Sequence, residues 1–123
     1  MLESNNNLKA VILYRVSTDR QDESLQVNIC QSFCKNHNMD IVEEYREIDV
    51  SGFKTPLAKR YELLKILNRA EIKKDFDVLV VYLHDRLGRR EDETPQVVQN
   101  LFKNGVRCFD AHNNSEIKVE SHT

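Results

Sequence analysis

Eight residues, Tyr14-Arg15-Val16-Ser17-Thr18-Asp19-Arg20-Gln21, are the first place in this chain where chemistry could occur. They follow an apolar run, Leu8 to Leu13, broken only by Lys9, so a small hydroxyl flanked by arginines stands where a buried strand would end. A serine between cations at the mouth of a sheet suits a nucleophile for an anionic substrate. The same residues also suit a plain role, because Ser and Thr after a strand commonly form turns or helix N-caps. A second cationic segment, Asp85-Arg86-Leu87-Gly88-Arg89-Arg90, again follows an apolar run, and Asp49 and Arg60 lie between the two. Alone, residues 86–90 read equally as a solvated basic loop, and Asp49 as the cap of the Ser51-Gly52 turn.

The elements that must position these residues follow from the apolar pattern. Residues 8–15 read as a strand buried on both faces, because the run is continuous rather than alternating. Leu25, Ile29, Cys30, Phe33, Cys34 and His37 recur at three- and four-residue steps and predict a helix over about 22–38 with that stripe inward. Residues 40–48 predict a second strand closing in the turn signal Asp49-Val50-Ser51-Gly52. Thr55-Pro56 reads as an N-cap with proline at the first helical position, opening a helix to about 71 with Leu63, Leu64, Leu67 and Ala70 as its stripe. Arg60 lies on that face one turn earlier, aimed at the sheet's edge, where a charged residue needs a partner. Residues 77–83 predict a central strand, about 92–104 a helix with Val97, Val98, Leu101 and Phe102 inward and Gly105 as C-cap, and 106–111 a fourth strand. A short strand near 117–119 is the last candidate.

This order, β-α-β-α-β-α-β, predicts an α/β fold: a mainly parallel sheet of four to five strands with helices on both faces. The expected organisation is a polar start at 1–7, a single domain over 8–111 and a polar tail at 112–123. At 123 residues, 31% charged and 40% hydrophobic, the composition is that of a soluble globular domain. No apolar run approaches the roughly 20 residues of a membrane span, and residues 1–7 lack a secretory leader's apolar core, so the expectation is a cytoplasmic protein away from membranes. The formal net charge of −2 argues against a wholly basic nucleic-acid binder, so phosphate binding would need a local concentration of arginine. Cys30, Cys34 and Cys108 are odd in number and read as reduced packing residues; His37, His84, His112 and His122 form no ligand cluster. No metal or cofactor is expected.

In open α/β sheets ligands bind beyond the carboxyl ends of the strands. Arg15 and Ser17 end strand one, Asp49 ends strand two, and Asp85, Arg86 and Arg89 follow strand three, with Arg60 able to reach the same edge. Such a set suits attack of serine on a phosphodiester. Planar guanidiniums hold the charge that develops on the non-bridging oxygens bidentately, while Asp49 and Asp85 orient them. No histidine stands out as the general base for Ser17.

Tyr14-x-Val16-Ser17-Thr18-x-x-Gln21 and Leu83-x-Asp85-Arg86-Leu87-Gly88-Arg89, with Asp49-x-x-Gly52 between them, resemble the catalytic domain of the serine recombinases, the family of resolvases, invertases and large serine integrases. The resemblance covers about residues 9–111. It implies that Ser17 attacks a DNA phosphate to give a 5′-phosphoserine link and a free 3′ hydroxyl. Strands are then exchanged in a tetramer built from dimers and rejoined without ATP or metal. It implies that Arg15, Arg86, Arg89 and Arg60 clamp phosphate, that Gln21, Asp49 and Asp85 support them, and that Asp77 and Arg69 hold less distinctive positions. Where family members often carry a glutamine in the first helix, this chain offers Asn28, after an apparent one-residue insertion at 22–24. The family's long helix and DNA-binding module are not visible before Thr123, so a fragment of this length is expected to select no DNA site by itself. The alternative, a non-catalytic flavodoxin-like α/β binding or signalling module, would be expected to show a glycine-rich phosphate loop after strand one, and residues 14–22 contain no glycine.

Overall fold

The computed structural model describes residues 7–16, 20–48, 60–83 and 93–118, with backbone alone at 20–22, 93 and 94. In chain order the elements are β1 (Leu8–Val16), α1 (Arg20–Asn36), β2 (Met39–Ile48), α2 (Tyr61–Ile72), β3 (Val78–Val81), α3 (Glu93–Lys103), β4 (Arg107–Asp110) and β5 (Ser115–Ile117). They form one sheet in the order β2-β1-β3-β4-β5. The first four strands are parallel, and β5 returns antiparallel to β4 over the segment expected to be polar tail.

The continuous apolar run of β1 is explained by a core on each face. Ala10, Ile12, Tyr14 and Val16 pack under α1 with Cys30, Phe33 and Cys34. Val11 and Leu13 pack under α2 and α3 with Leu63, Ile66 and Leu101. At roughly 1.5–3 kcal/mol for each large apolar side chain taken fully out of water, these two layers are the main driving force for folding. Val78 to Val81 of β3 are buried throughout, as a strand at the middle of the sheet must be.

The register of β2 on β1 contains one irregularity. Ala10 lies opposite Ile41 but Val11 lies opposite Glu43, so Val42 is an extra residue. Side chains alternate with period two, and one inserted residue reverses the face of everything after it. Glu44 and Arg46 therefore turn toward α1, where they meet Tyr14 and Glu23. Glu43, Tyr45 and Glu47 turn toward α2.

Several expectations are corrected by the packing. Leu25 is 48% exposed, and the inward position belongs to Gln26, in step with Cys30, Phe33 and Cys34. His37 is exposed just beyond the last turn of α1, bonded to Asn114. In α2 the buried set is Leu63, Ile66 and Ala70, with Leu64 only half-buried. That helix starts at Tyr61, because the backbone of Arg60 (φ −92°, ψ 76°) is not helical; Thr55-Pro56 lies outside the described residues. Phe102 is 68% exposed, one position past the stripe of Val97, Val98 and Leu101. The last strand sits at 115–117 rather than 117–119. Gly105, with φ +85°, closes α3 as expected.

Candidate active site

β1 and β3 are adjacent and parallel, with Leu13 opposite Val81, although these two residues are 68 positions apart in the sequence. From β1 the chain moves outward to β2, and from β3 it moves the other way to β4. The order therefore reverses between β1 and β3, which is where open α/β sheets place their ligands. In sequence, the first motif begins within the carboxyl end of β1 and the second follows the carboxyl end of β3.

Arg15 stands in the last turnover of β1 and is only 4% exposed. Its main chain is gripped by Gln26 of α1. The Gln26 Nε2 amide donates to the Arg15 carbonyl at 2.8 Å, and the Arg15 N–H donates to Gln26 Oε1 at 3.2 Å. A fully buried amide thus satisfies both backbone groups of the residue two before Ser17, which fixes the strand end against the helix. The first-helix glutamine facing this strand is Gln26; Asn28 is exposed.

Arg60, at the N-cap of α2, is 2% exposed, and its guanidinium is held by Glu47 of β2. Nε donates to Oε2 at 2.8 Å and Nη2 to Oε1 at 2.6 Å, a bidentate fork. The expected partner of Arg60 therefore exists, and it is a residue not singled out in the sequence. Glu47 is in turn the register partner of Arg15, so two arginines and one carboxylate gather at the same end of β1 and β2 on the α2 side.

Arg69 and Asp77, the less distinctive positions, belong to the opposite edge. Arg69 bonds Asp75 through Nε at 2.8 Å and also meets Glu43 and the Tyr45 hydroxyl, joining α2 to β2. The Asp77 carboxylate accepts from the Lys9 N–H at 2.9 Å and starts the pairing of β1 with β3. Ser17, Asp49, Asp85, Arg86 and Arg89 lie outside the described residues, as does the side chain of Gln21, whose backbone is in the first turn of α1. A groove of about 480 Å³ lined by Glu23, Ser24, Val27, Asn28 and Arg46 runs beside α1, and neither Arg15 nor Arg60 lines it.

Burial sets the protonation of the remaining nucleophiles. It pushes the thiols of Cys30 and Cys108 up to about 12 and that of Cys34 to about 11, leaving all three protonated and inert near neutrality. Burial, with the hydrogen bond to Glu44, likewise raises the Tyr14 hydroxyl. Among the described residues no group of His, Cys, Asp and Glu could hold a metal ion, and no helix is long and apolar enough to cross a membrane.

A family model described as Resolvase, N terminal domain, matches residues 10–122. The chain belongs to that family. Among solved structures, this resolvase-family domain is similar to the N-terminal catalytic domain of TP901-1 integrase, with 26% identity over 88% of this chain and 80% of that one and a TM-score of 0.72. It is similar also to the C-terminal catalytic domain of ISC1926 TnpA, an IS607-like serine recombinase (28% identity, 85% and 70% covered, TM-score 0.69). A resolvase family site-specific recombinase from Streptococcus pneumoniae shares the fold, with a TM-score of 0.74 at 21% identity over 89% and 76% of the two chains. The comparison with curated proteins finds no match. The chain is thus a resolvase-family catalytic domain of the serine recombinase class.

Two contributors to the site were missed in the sequence. Gln26 carried a signal, since it sits at i, i+4, i+7 and i+8 with Cys30, Phe33 and Cys34. Glu47 carried none locally, because only the extra residue at Val42 turns it toward α2.

Proposed function

We propose that this domain cleaves and rejoins DNA through a covalent 5′-phosphoserine intermediate, as the catalytic part of a site-specific recombinase. Ser17 is the nucleophile. Its Oγ forms a bond to phosphorus, the bond from phosphorus to the 3′ oxygen breaks, and the leaving oxygen takes up a proton while the serine gives one up. In the second step a 3′ hydroxyl attacks the same phosphorus and Oγ leaves, so phosphoester bonds are conserved and no ATP is needed. Arg15, Arg86 and Arg89 hold the non-bridging oxygens as charge develops there, and Asp85, Asp49 and Gln21 orient them.

The observation that carries this reading is the switch point. Arg15 is buried at the end of β1, and β3, which feeds residues 85–89, lies directly beside it. The partners implied are duplex DNA and further copies of the same chain, first as a dimer and then as a tetramer that exchanges strands, in the cytoplasm.

The test uses the full-length protein that carries this domain with its target DNA. Wild type is expected to give a protein–DNA adduct that survives denaturant, and Ser17→Ala none. An adduct undiminished in Ser17→Ala ends the assignment. Arg15→Ala is expected to slow adduct formation by about 100-fold or more, the usual effect of deleting one preorganised charge donor.

A further inference from the structure

Arg46 is a cation near the nucleophile in the chain that no step of the reaction above uses. It turns from β2 toward α1, and its register partner on β1 is Tyr14, three residues before Ser17. Three residues of chain span at most about 11 Å. Its ion-pair partner, Glu23, is in α1 four positions from the helix start, six residues after Ser17. The two border the groove of about 480 Å³ whose other lining residues are Ser24, Val27 and Asn28. Ser24 and Asn28 are four apart on one face of the helix, both are exposed, and both carry hydrogen-bond donors. The ion pair that bridges this groove is weak by position. Its side chains are 56% and 27% exposed, and a pair so open to water and salt contributes little. Arg46 donates to Glu23 through Nε, and among the described residues its Nη1 and Nη2 have no hydrogen-bond partner. If Arg46 turns to another anion, Glu23 remains near the positive end of α1, which favours a carboxylate.

We infer that this groove is a second contact for the DNA backbone: Arg46 leaves Glu23 and takes a phosphate neighbouring the one that Ser17 attacks, with Ser24 and Asn28 donating to the same stretch of backbone. This contact rests on the recombinase reading above and extends it along the strand. Successive phosphates of one strand advance about 3.4 Å along the duplex axis, so a backbone engaged at Ser17 carries further phosphates within reach of Arg46. A phosphate accepts from a guanidinium bidentately, whereas Glu23 takes only the Nε donor. Glu23 is thus the stand-in that holds Arg46 across the groove until DNA arrives, and it lowers affinity by the strength of that exposed pair.

The test measures binding of the full-length protein to its target DNA over a range of salt, in a Ser17→Ala background so that binding is read without cleavage. Arg46→Gln is expected to weaken binding and to reduce the slope of log K against log salt by about 0.9, the loss of one phosphate contact. Glu23→Gln is expected to tighten binding by about two- to fivefold, because it releases Arg46 from an exposed pair. The double variant is expected to match Arg46→Gln alone, since Glu23 acts only through Arg46. An unchanged salt slope in Arg46→Gln overturns the proposal. So does a double variant in which the two effects simply add, the mark of long-range repulsion between Glu23 and DNA. A further comparison does not depend on how well Arg46→Gln folds. The tightening by Glu23→Gln is expected to vanish on DNA carrying a neutral methylphosphonate at one phosphate beside the cut, and tightening that survives at every such position overturns the proposal. A protein that binds target DNA but forms no adduct with Ser17 intact removes the recombinase reading, while the contact stands or falls on the slope. An active protein whose slope is unchanged in Arg46→Gln removes the contact alone.

Discussion

At the scale of single residues, two buried polar side chains govern the end of β1. Gln26 gives and takes one hydrogen bond with the Arg15 backbone. Gln26→Leu keeps the volume but strands a buried carbonyl and N–H, which costs about 1–3 kcal/mol for each group left unsatisfied. Urea unfolding is expected to show a loss of about 2–4 kcal/mol, together with slower adduct formation in the full-length protein. Glu47→Ala leaves the Arg60 guanidinium buried without its carboxylate, and breaking such a pair from one side costs about 3–5 kcal/mol. The same measurement checks it, and a loss under about 1 kcal/mol would mean that the pair is far better solvated than its exposure suggests.

At the scale of elements, the extra residue at Val42 does more than bend β2. Had Val42 paired with Val11 in an unbroken ladder, Arg46 would lie opposite Arg15 and Glu47 opposite Val16, so every later side chain of β2 would change faces; with Val42 deleted, Glu43 follows Ile41 directly and the observed pairs from Glu43 with Val11 to Ile48 with Val16 are kept. Deletion of this half-exposed valine is therefore expected to be tolerated, with a change of no more than about 1 kcal/mol in urea unfolding and adduct formation retained in the full-length protein, and loss of folding on deletion would mean that the irregularity itself is required. Adjacent positions in α3 provide a contrast. Leu101 is fully buried and Phe102 is 68% exposed. Leu101→Ala is expected to cost about 2–5 kcal/mol and Phe102→Ser within about 0.5 kcal/mol of nothing, read from the same denaturant curves. At Gly105 an added Cβ meets no atom within 4 Å, so Gly105→Ala tests φ alone and is expected to cost about 1 kcal/mol.

At the scale of the whole molecule, the buried thiols and an exposed carboxylate respond to opposite ends of the pH scale. The raised thiols of Cys30, Cys34 and Cys108 favour the neutral form in the folded state. Their contribution is complete below the ordinary thiol value of 9.0 and is lost as pH rises from there toward about 12, so the melting temperature is expected to fall in that window. Asp75 behaves oppositely. Its hydrogen bond to Arg69 holds the carboxyl below the ordinary 3.8, so its contribution is present above that value and is lost as pH falls through the depressed one. Being exposed to solvent and salt, it contributes the smaller effect. A Cys30→Ala/Cys34→Ala/Cys108→Ala variant is expected to flatten the alkaline fall and leave the acid limb unchanged. How far this molecule was legible in its sequence follows from the range of the forces involved. The chain's order of apolar runs, its switch from continuous strands to helical stripes and the two arginine motifs determined the α/β class and the family, because burial and periodicity are local properties. Stripe membership was wrong by one position at Leu25, Leu64 and Phe102, since a 100° step leaves flanking residues ambiguous until a neighbouring element covers one of them. Only the tertiary structure decided that Arg60 faces Glu47 and that Gln26 holds Arg15. Both contacts join separate elements, and the first depends on a one-residue irregularity in strand pairing that no local pattern encodes.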